Sequence, residues 1–292
     1  MEQQQYHYTE NSGSVKKPEN RFLRIWGPVL IKWGVGMGVS MLAMMIYMPD
    51  ASRSAGLAAE AAEELMRYAT PIEGIAAFLT IPILLVMFHQ DTIKEKLLGL
   101  AANKKASLWK YAAILVMTAA MTLGLNNLIE LGGLMKVSEE YEDTMNSLYA
   151  APFPMQILCL GILIPICEEL VFRGLMFRRL RQGGTFMAAA LYSSFVFGFL
   201  HVNMVQMLYG FILGFTFCYL YEKYGSVKAP VFAHIVSNIL SVVLTEFHAM
   251  EWMSAKPIRI GTITVACASA ASAMYVLIQR IEEQPRKMDI TV

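Results

Sequence analysis

Between Pro154 and Arg181 a long apolar run is interrupted by two adjacent carboxylates, Glu168 and Glu169, with Arg173 one helical turn further on. Four-residue spacing puts Glu169 and Arg173 on one helix face, with the acid on the N-terminal side, which is the favourable order for a pair. Glu168 is turned about 100° away and is left for other work. Counted from Arg181, Glu168 lies roughly 20 Å along the helix axis, where an ionised carboxylate needs a partner or a cavity. Phe197 and His201 close a second apolar run, and His234 and Asn238 share one face of a third. Two carboxylates, two imidazoles and a carboxamide can hold a water, remove its proton and steady an oxyanion, which is the chemistry of peptide hydrolysis. Each feature also has a plainer reading: a structural Glu–Arg clamp, an interfacial histidine, and interhelical hydrogen-bond glue at His234 and Asn238. Ser193 and Ser194, about two turns before His201, read as helix-packing residues, and no HExxH zinc motif is present.

The elements that must carry these residues are membrane spans. The chain has 292 residues, 56% of them hydrophobic and 16% charged, with a mean hydropathy of +0.45. The apolar residues come in blocks of the length that crosses a bilayer. Candidate spans are Phe22–Met48, Pro71–Phe88, Leu108–Glu130, Pro154–Arg173 with a continuation, Thr185–His201, Met204–Tyr221, Ala229–Thr245 and Ile260–Ile278. The expected fold is all-α, a polytopic bundle of about eight transmembrane helices. It would form one membrane domain over 21–281, with the site-bearing core at about 152–245. Residues 1–20 read as a disordered cytosolic tail and 282–292 as a second cytosolic tail. Ala55–Tyr68 reads as a non-spanning interfacial helix.

With both ends inside, the outer loops hold only Arg53, Arg67, Lys136, Lys256 and Arg259, and nearly all remaining basic residues face the cytosol. Lys32 and Arg173 fall inside spans. Cys159, Cys167, Cys218 and Cys267 all lie in apolar blocks without CxxC or Cys/His ligand spacing, as small buried residues do. His201, about 24 Å along its helix from Thr185, nearly matches Glu168 in depth, whereas His234 is only about 9 Å from Lys228. A bent helix, a re-entrant entry through Gly225 or a deep aqueous cavity would reconcile them.

In these residues the sequence resembles the CAAX-protease and bacteriocin-processing (CPBP) family of intramembrane proteases, which includes the Ras-converting CAAX endopeptidase. The family pattern EExxxR, FxxxH, HxxxN/D reads here as Glu168-Glu169-x-x-x-Arg173, Phe197-x-x-x-His201 and His234-x-x-x-Asn238, in order and without departure. The resemblance covers roughly Gln156 to Leu244. It implies a cytosol-facing cavity in which Glu168, helped by His201, activates water. His234 and Asn238 would then form the oxyanion site, with Glu169 and Arg173 supporting Glu168. It implies no required cofactor in a glutamate mechanism, or else zinc held by Glu168, His201 and His234 with an open fourth position. The expected partners are a peptide or membrane-anchored protein substrate and the lipid bilayer, not nucleic acid. The expected setting is a bacterial cell membrane. Two other classes stay open: a non-catalytic peptide-immunity or scaffold protein, and a proton-coupled transporter, although no internal repeat of the transporter kind is found.

Overall fold

The computed structural model describes residues 20–47, 66–98, 106–134, 139–201 and 203–281. The two expected tails, apart from Asn20, and most of the expected interfacial helix at Ala55–Tyr68 lie outside the described residues. The regular structure of the described residues is entirely helical. In chain order the helices are α1 (Arg21–Tyr47), α2 (Ala69–Leu97), α3 (Tyr111–Leu131, entered through a 3-10 turn at Leu108–Lys110) and α4 (Glu139–Leu148). Then follow α5 (Phe153–Gly183), α6 (Phe186–Phe199), α7 (Met204–Tyr224), α8 (Lys228–Glu246), α9 (Ala249–Ser254) and α10 (Pro257–Gln279).

Seven of these, α1, α2, α3, α5, α7, α8 and α10, are long and apolar enough to cross a membrane. The expected eighth pass is α6, which is apolar but has only 14 residues, about 21 Å of helix. That is shorter than the roughly 30 Å hydrocarbon core. The protein is thus an all-α polytopic membrane protein consistent with an eight-pass bundle. The acidic stretch before the fourth span forms the ten-residue helix α4, tied to α2 where Thr70 Oγ1 donates to the Leu148 carbonyl at 2.7 Å.

α5 is the axis of the molecule. Its segment Leu170–Phe177 is buried throughout and packs against α1, α2, α6 and α7. Pro152 enters it in an extended conformation and Pro154 occupies its first turn, where a missing N–H is harmless. The helix is not uniform. Cys159–Leu163 and Leu170–Phe177 are wound as π-helix, and the α-helical stretch Ile164–Glu169 sits between them. Pro165 cannot donate a backbone hydrogen bond, and a local change of register absorbs that loss. Wide turns of this kind gather at functional sites.

Bilayer lipid offers no hydrophobic drive between helices, so close approach depends on small residues. A Cβ on Gly198 would lie 2.6 Å from the Met207 carbonyl oxygen, and one on Gly210 3.4 Å from Gly198 Cα, so α6 and α7 touch backbone to backbone. Likewise a Cβ on Gly161 would lie 2.9 Å from Ile239 Cγ1, which brings α8 onto α5. Gly225 ends α7 in the left-handed conformation at φ 62°, the usual helix stop, and α8 starts three residues later.

At the end of the bundle where α1 begins, the basic cluster of α5 meets acids from its neighbours. Arg178 forks onto Glu95 of α2 at 2.9 and 2.6 Å. Arg179 pairs with Asp91 of α2 at 2.6 Å and also contacts the Arg24 carbonyl of α1. Arg181 pairs with Glu222 of α7 at 3.0 Å.

Candidate functional site

Glu169 is completely buried, as is Arg173. Arg173 Nη1 donates to Glu169 Oε1 at 2.8 Å, so the pair expected from the four-residue spacing is formed. The guanidinium is also held by rings, at 4.5 Å from the Phe197 centroid and 5.3 Å from that of Phe217. Gly214 clears the space it needs, since a Cβ there would lie 2.9 Å from Arg173 Nη2. Arg173 is therefore fixed by α5, α6 and α7 together.

His234 of α8 comes to the same carboxylate. Its Nδ1 lies 2.9 Å from Glu169 Oε1. A carboxylate accepts, so Nδ1 carries the hydrogen and Nε2 faces away. Nε2 stands 3.9 Å from Glu168 Oε2, a distance at which one more atom's reach is needed for direct bonding. His234 is 5% exposed and lies against Phe197 and Phe217, with ring centroids 5.8 and 5.1 Å away.

His201 lies just beyond the end of α6, and its imidazole is turned back so that Nδ1 meets the Phe197 carbonyl at 2.9 Å. A carbonyl only accepts, so His201 also has its second ring nitrogen, Nε2, left for other contacts. Its ring shares the electrostatic surroundings of Glu168 with Lys32 and His234. Asn203, buried, caps α7 by accepting from the Gln206 N–H at 2.8 Å, and so fixes the turn that presents His201. Asn238, one turn after His234, donates through Nδ2 to the Leu160 carbonyl at 2.9 Å, within the first π-helical segment of α5. Its second N–H is not used in that bond.

All six residues singled out in the sequence, Glu168, Glu169, Arg173, His201, His234 and Asn238, therefore fall in one region. Glu168 is not the unpartnered acid that spacing alone leaves it. Lys32 Nζ of α1 lies 3.3 Å from its Oε1 and 3.4 Å from Glu73 Oε1 of α2. The difference in depth between Glu168 and His234 has a simple origin. The last turns of α5, from Arg178 to Gly183, belong to the ionic rim, and π-helical winding advances less per residue than α-helix. A count from Arg181 at α-helical rise therefore places the carboxylates too deep.

The residues passed over by the motifs are Lys32, Glu73, Phe217 and Gly214. Lys32 and Glu73 are charges inside spans, which by itself marks a functional candidate. Gly210 and Gly214 form a small-xxx-small pair, the sequence signal of close helix approach. Phe217 carries no such signal. Ser193 and Ser194 are buried, Ser193 donating to the Phe172 carbonyl at 3.1 Å, as helix-packing residues do. The four cysteines are free and buried.

Among the described residues no group of three or more His, Cys, Asp or Glu is arranged to hold a metal ion. What does converge is a row of alternating charge and imidazole: Lys32, Glu168, His234, Glu169, Arg173. Such a row can keep one carboxylate clamped while the other works beside a free imidazole nitrogen.

Residues 150–240 match the family described as Type II CAAX prenyl endopeptidase Rce1-like. YdiL of Bacillus subtilis (strain 168), provisionally named a membrane peptidase, is 27% identical over 191 residues, covering 62% of this chain and 75% of that protein. No solved structure shows a significant match. These two similarities support homology to the CAAX-protease-like membrane peptidases, and neither singles out a catalytic subtype.

Proposed function

We propose that the protein is an intramembrane endopeptidase that hydrolyses a peptide bond in a membrane-associated peptide or protein. Glu168 takes a proton from a water, with His201 Nε2 as its helper, and the resulting hydroxide attacks the scissile carbonyl carbon. His234 Nε2, protonated, and the second N–H of Asn238 donate to the oxyanion that forms. Glu168 then passes its proton to the leaving amine as the C–N bond breaks. Glu169 and Arg173 hold His234 in the required orientation throughout. The glutamate mechanism needs no metal, and a zinc-dependent alternative would recruit Glu168, His201 and His234. The setting is a bacterial cell membrane, with both chain ends and the arginine-rich rim on the cytosolic side.

The observation that carries this reading is the His234 imidazole standing between the buried carboxylate of Glu169, at 2.9 Å, and the part-buried carboxylate of Glu168, at 3.9 Å. Glu169 and Arg173 already form an acid–base clamp, and Glu168, paired with Lys32 through one oxygen, turns its other oxygen toward His234. The sequence similarity to membrane peptidases over residues 150–240 supports the same conclusion.

The test is cleavage of a quenched fluorogenic peptide library by detergent-purified protein, with Glu168→Ala beside it. Each is assayed with and without chelator and with added zinc. Wild-type activity that is lost in Glu168→Ala and unaffected by chelator is the expected result. Activity abolished by chelator and restored by zinc would replace the glutamate mechanism with a metal one. Two equally folded and equally silent proteins would favour a binding or scaffold role.

A further inference from the structure

Lys32 is the twelfth residue of α1, far from both helix ends. It is about 17 Å from Arg21 and about 22 Å from Tyr47 along the axis. A charge placed in mid-span of an apolar helix calls for a partner in the bundle. Lys32 has two, Glu168 of α5 at 3.3 Å and Glu73 of α2 at 3.4 Å. The three side chains form a series of rising exposure, 13% for Glu168, 25% for Lys32 and 50% for Glu73. Lys32 and Glu73 both lie outside the segment similar to the peptidase family.

Glu168 is faced by Lys32 from α1, by His234 from α8, by His201 from the end of α6 and by Cys167 beside it, with Glu73 of α2 behind Lys32. Of these, only Lys32 is a permanent cation within hydrogen-bond reach of the Glu168 carboxylate. Arg173, the other cation of the site, is committed to Glu169. Lys32 binds Oε1, and the other oxygen, Oε2, is the one directed at His234. The lysine thus leaves free the oxygen that faces the second imidazole and fixes the rotation of the carboxylate about its bond.

We infer that Lys32 is a positioning residue for the proposed hydrolysis: from α1 it holds one oxygen of Glu168 so that the other faces His234, and Glu73 anchors the lysine from behind. This rests on the peptidase reading. α1 is then part of the active site and not only a membrane anchor. The lysine touches Glu168 and not the reacting atoms, so its loss acts on turnover through the geometry of the base.

The experiment has two arms on full-length protein in detergent. In the first, thermal unfolding is measured for Lys32→Met, Glu168→Gln and the double variant. The expected result is that each single variant melts below wild type, because each strands a charge, and that the double variant melts no lower than the worse single. Additive losses would overturn the pairing. In the second arm, peptide cleavage is compared for wild type, Lys32→Met, Lys32→Arg and Trp33→Ala, the last on the exposed face of α1. Lys32→Met is expected to lower kcat about 100-fold, the scale of a small misplacement of a catalytic group, with KM within about twofold. Lys32→Arg is expected to restore most of the loss, and Trp33→Ala to match wild type. A Lys32→Met protein with wild-type kcat, or an arginine variant as slow as the methionine one, would overturn the positioning role. A wild type silent on the whole library would instead remove the peptidase reading, and this role with it.

Discussion

α5 carries two groups of charges about two turns apart, and they are handled in opposite ways. At the rim, Arg178, Arg179 and Arg181 meet Glu95, Asp91 and Glu222 one to one, and every one of these side chains keeps some contact with its surroundings. In the site, Glu169 and Arg173 are wholly excluded, and Glu169 Oε2, Arg173 Nε and Arg173 Nη2 have no hydrogen-bond partner. Rim side chains keep 6–16% exposure near helix ends, so water and lipid headgroups can partly replace a lost partner and each pair should be worth less than one in the site. Site charges have no such substitute, and removing one partner leaves an uncompensated ion.

The contrast can be tested by substitution. Removing the Glu168 carboxylate by Glu168→Ala should lower peptide cleavage by about 10^3-fold or more, the contribution of a general base, and should lower the unfolding midpoint because Lys32 loses its Glu168 partner. A variant that keeps a tenth of the activity would break the assignment of Glu168 as base. Arg173→Met should cost about 3–5 kcal/mol of stability, measured by unfolding in mixed micelles, and adding Glu169→Gln should return part of it. If the single variant is as stable as wild type, site and rim do not differ in the way described. Gly214→Ala places a methyl group 2.9 Å from Arg173 Nη2 and should cost about 1–3 kcal/mol by overpacking. Its cleavage rate should fall more steeply than its stability, because the arginine that orients Glu169 is displaced. At the rim the effects should be smallest. Arg179→Ala is expected to cost about 1 kcal/mol or less. Gly183→Ala, where nothing stands within 4 Å of the new methyl, should change stability by no more than about 0.5 kcal/mol. Both should cleave at wild-type rates, and a large loss in either would sharpen the role of the rim in substrate approach.

Much of the architecture is legible in the chain because each span is a local property. A block of apolar residues long enough to bridge the bilayer must satisfy its own backbone, and the helix is the only single-segment way to do so. That is why seven of the eight candidate spans return as long helices, with ends within a few residues of the expected ones or of the expected continuation of the fourth, except that α2 runs on to Leu97, nine residues past the expected Phe88. The eighth, α6, is short because Thr185 caps it at one end, accepting from the Ala188 N–H at 3.3 Å, and the turn into α7 closes it at the other. Both boundaries fall within two residues of the expected Thr185–His201. The pairing of Glu169 with Arg173 was equally local, a matter of spacing on one helix.

What lies between helices is a different kind of information. The sequence by itself determined the membrane class, the helical content, the identity of the six candidate residues and the one pair that a single helix can form. Only the tertiary structure decided that His234 shares Glu169 with Arg173, that Phe197 and Phe217 enclose that guanidinium, and that Lys32 and Glu73 reach the site. The physical reason is that periodicity reports which face of a helix is polar but not which helix stands opposite. That is settled by packing, here by Gly161, Gly198, Gly210 and Gly214, whose missing side chains let α5, α6, α7 and α8 close around the charges.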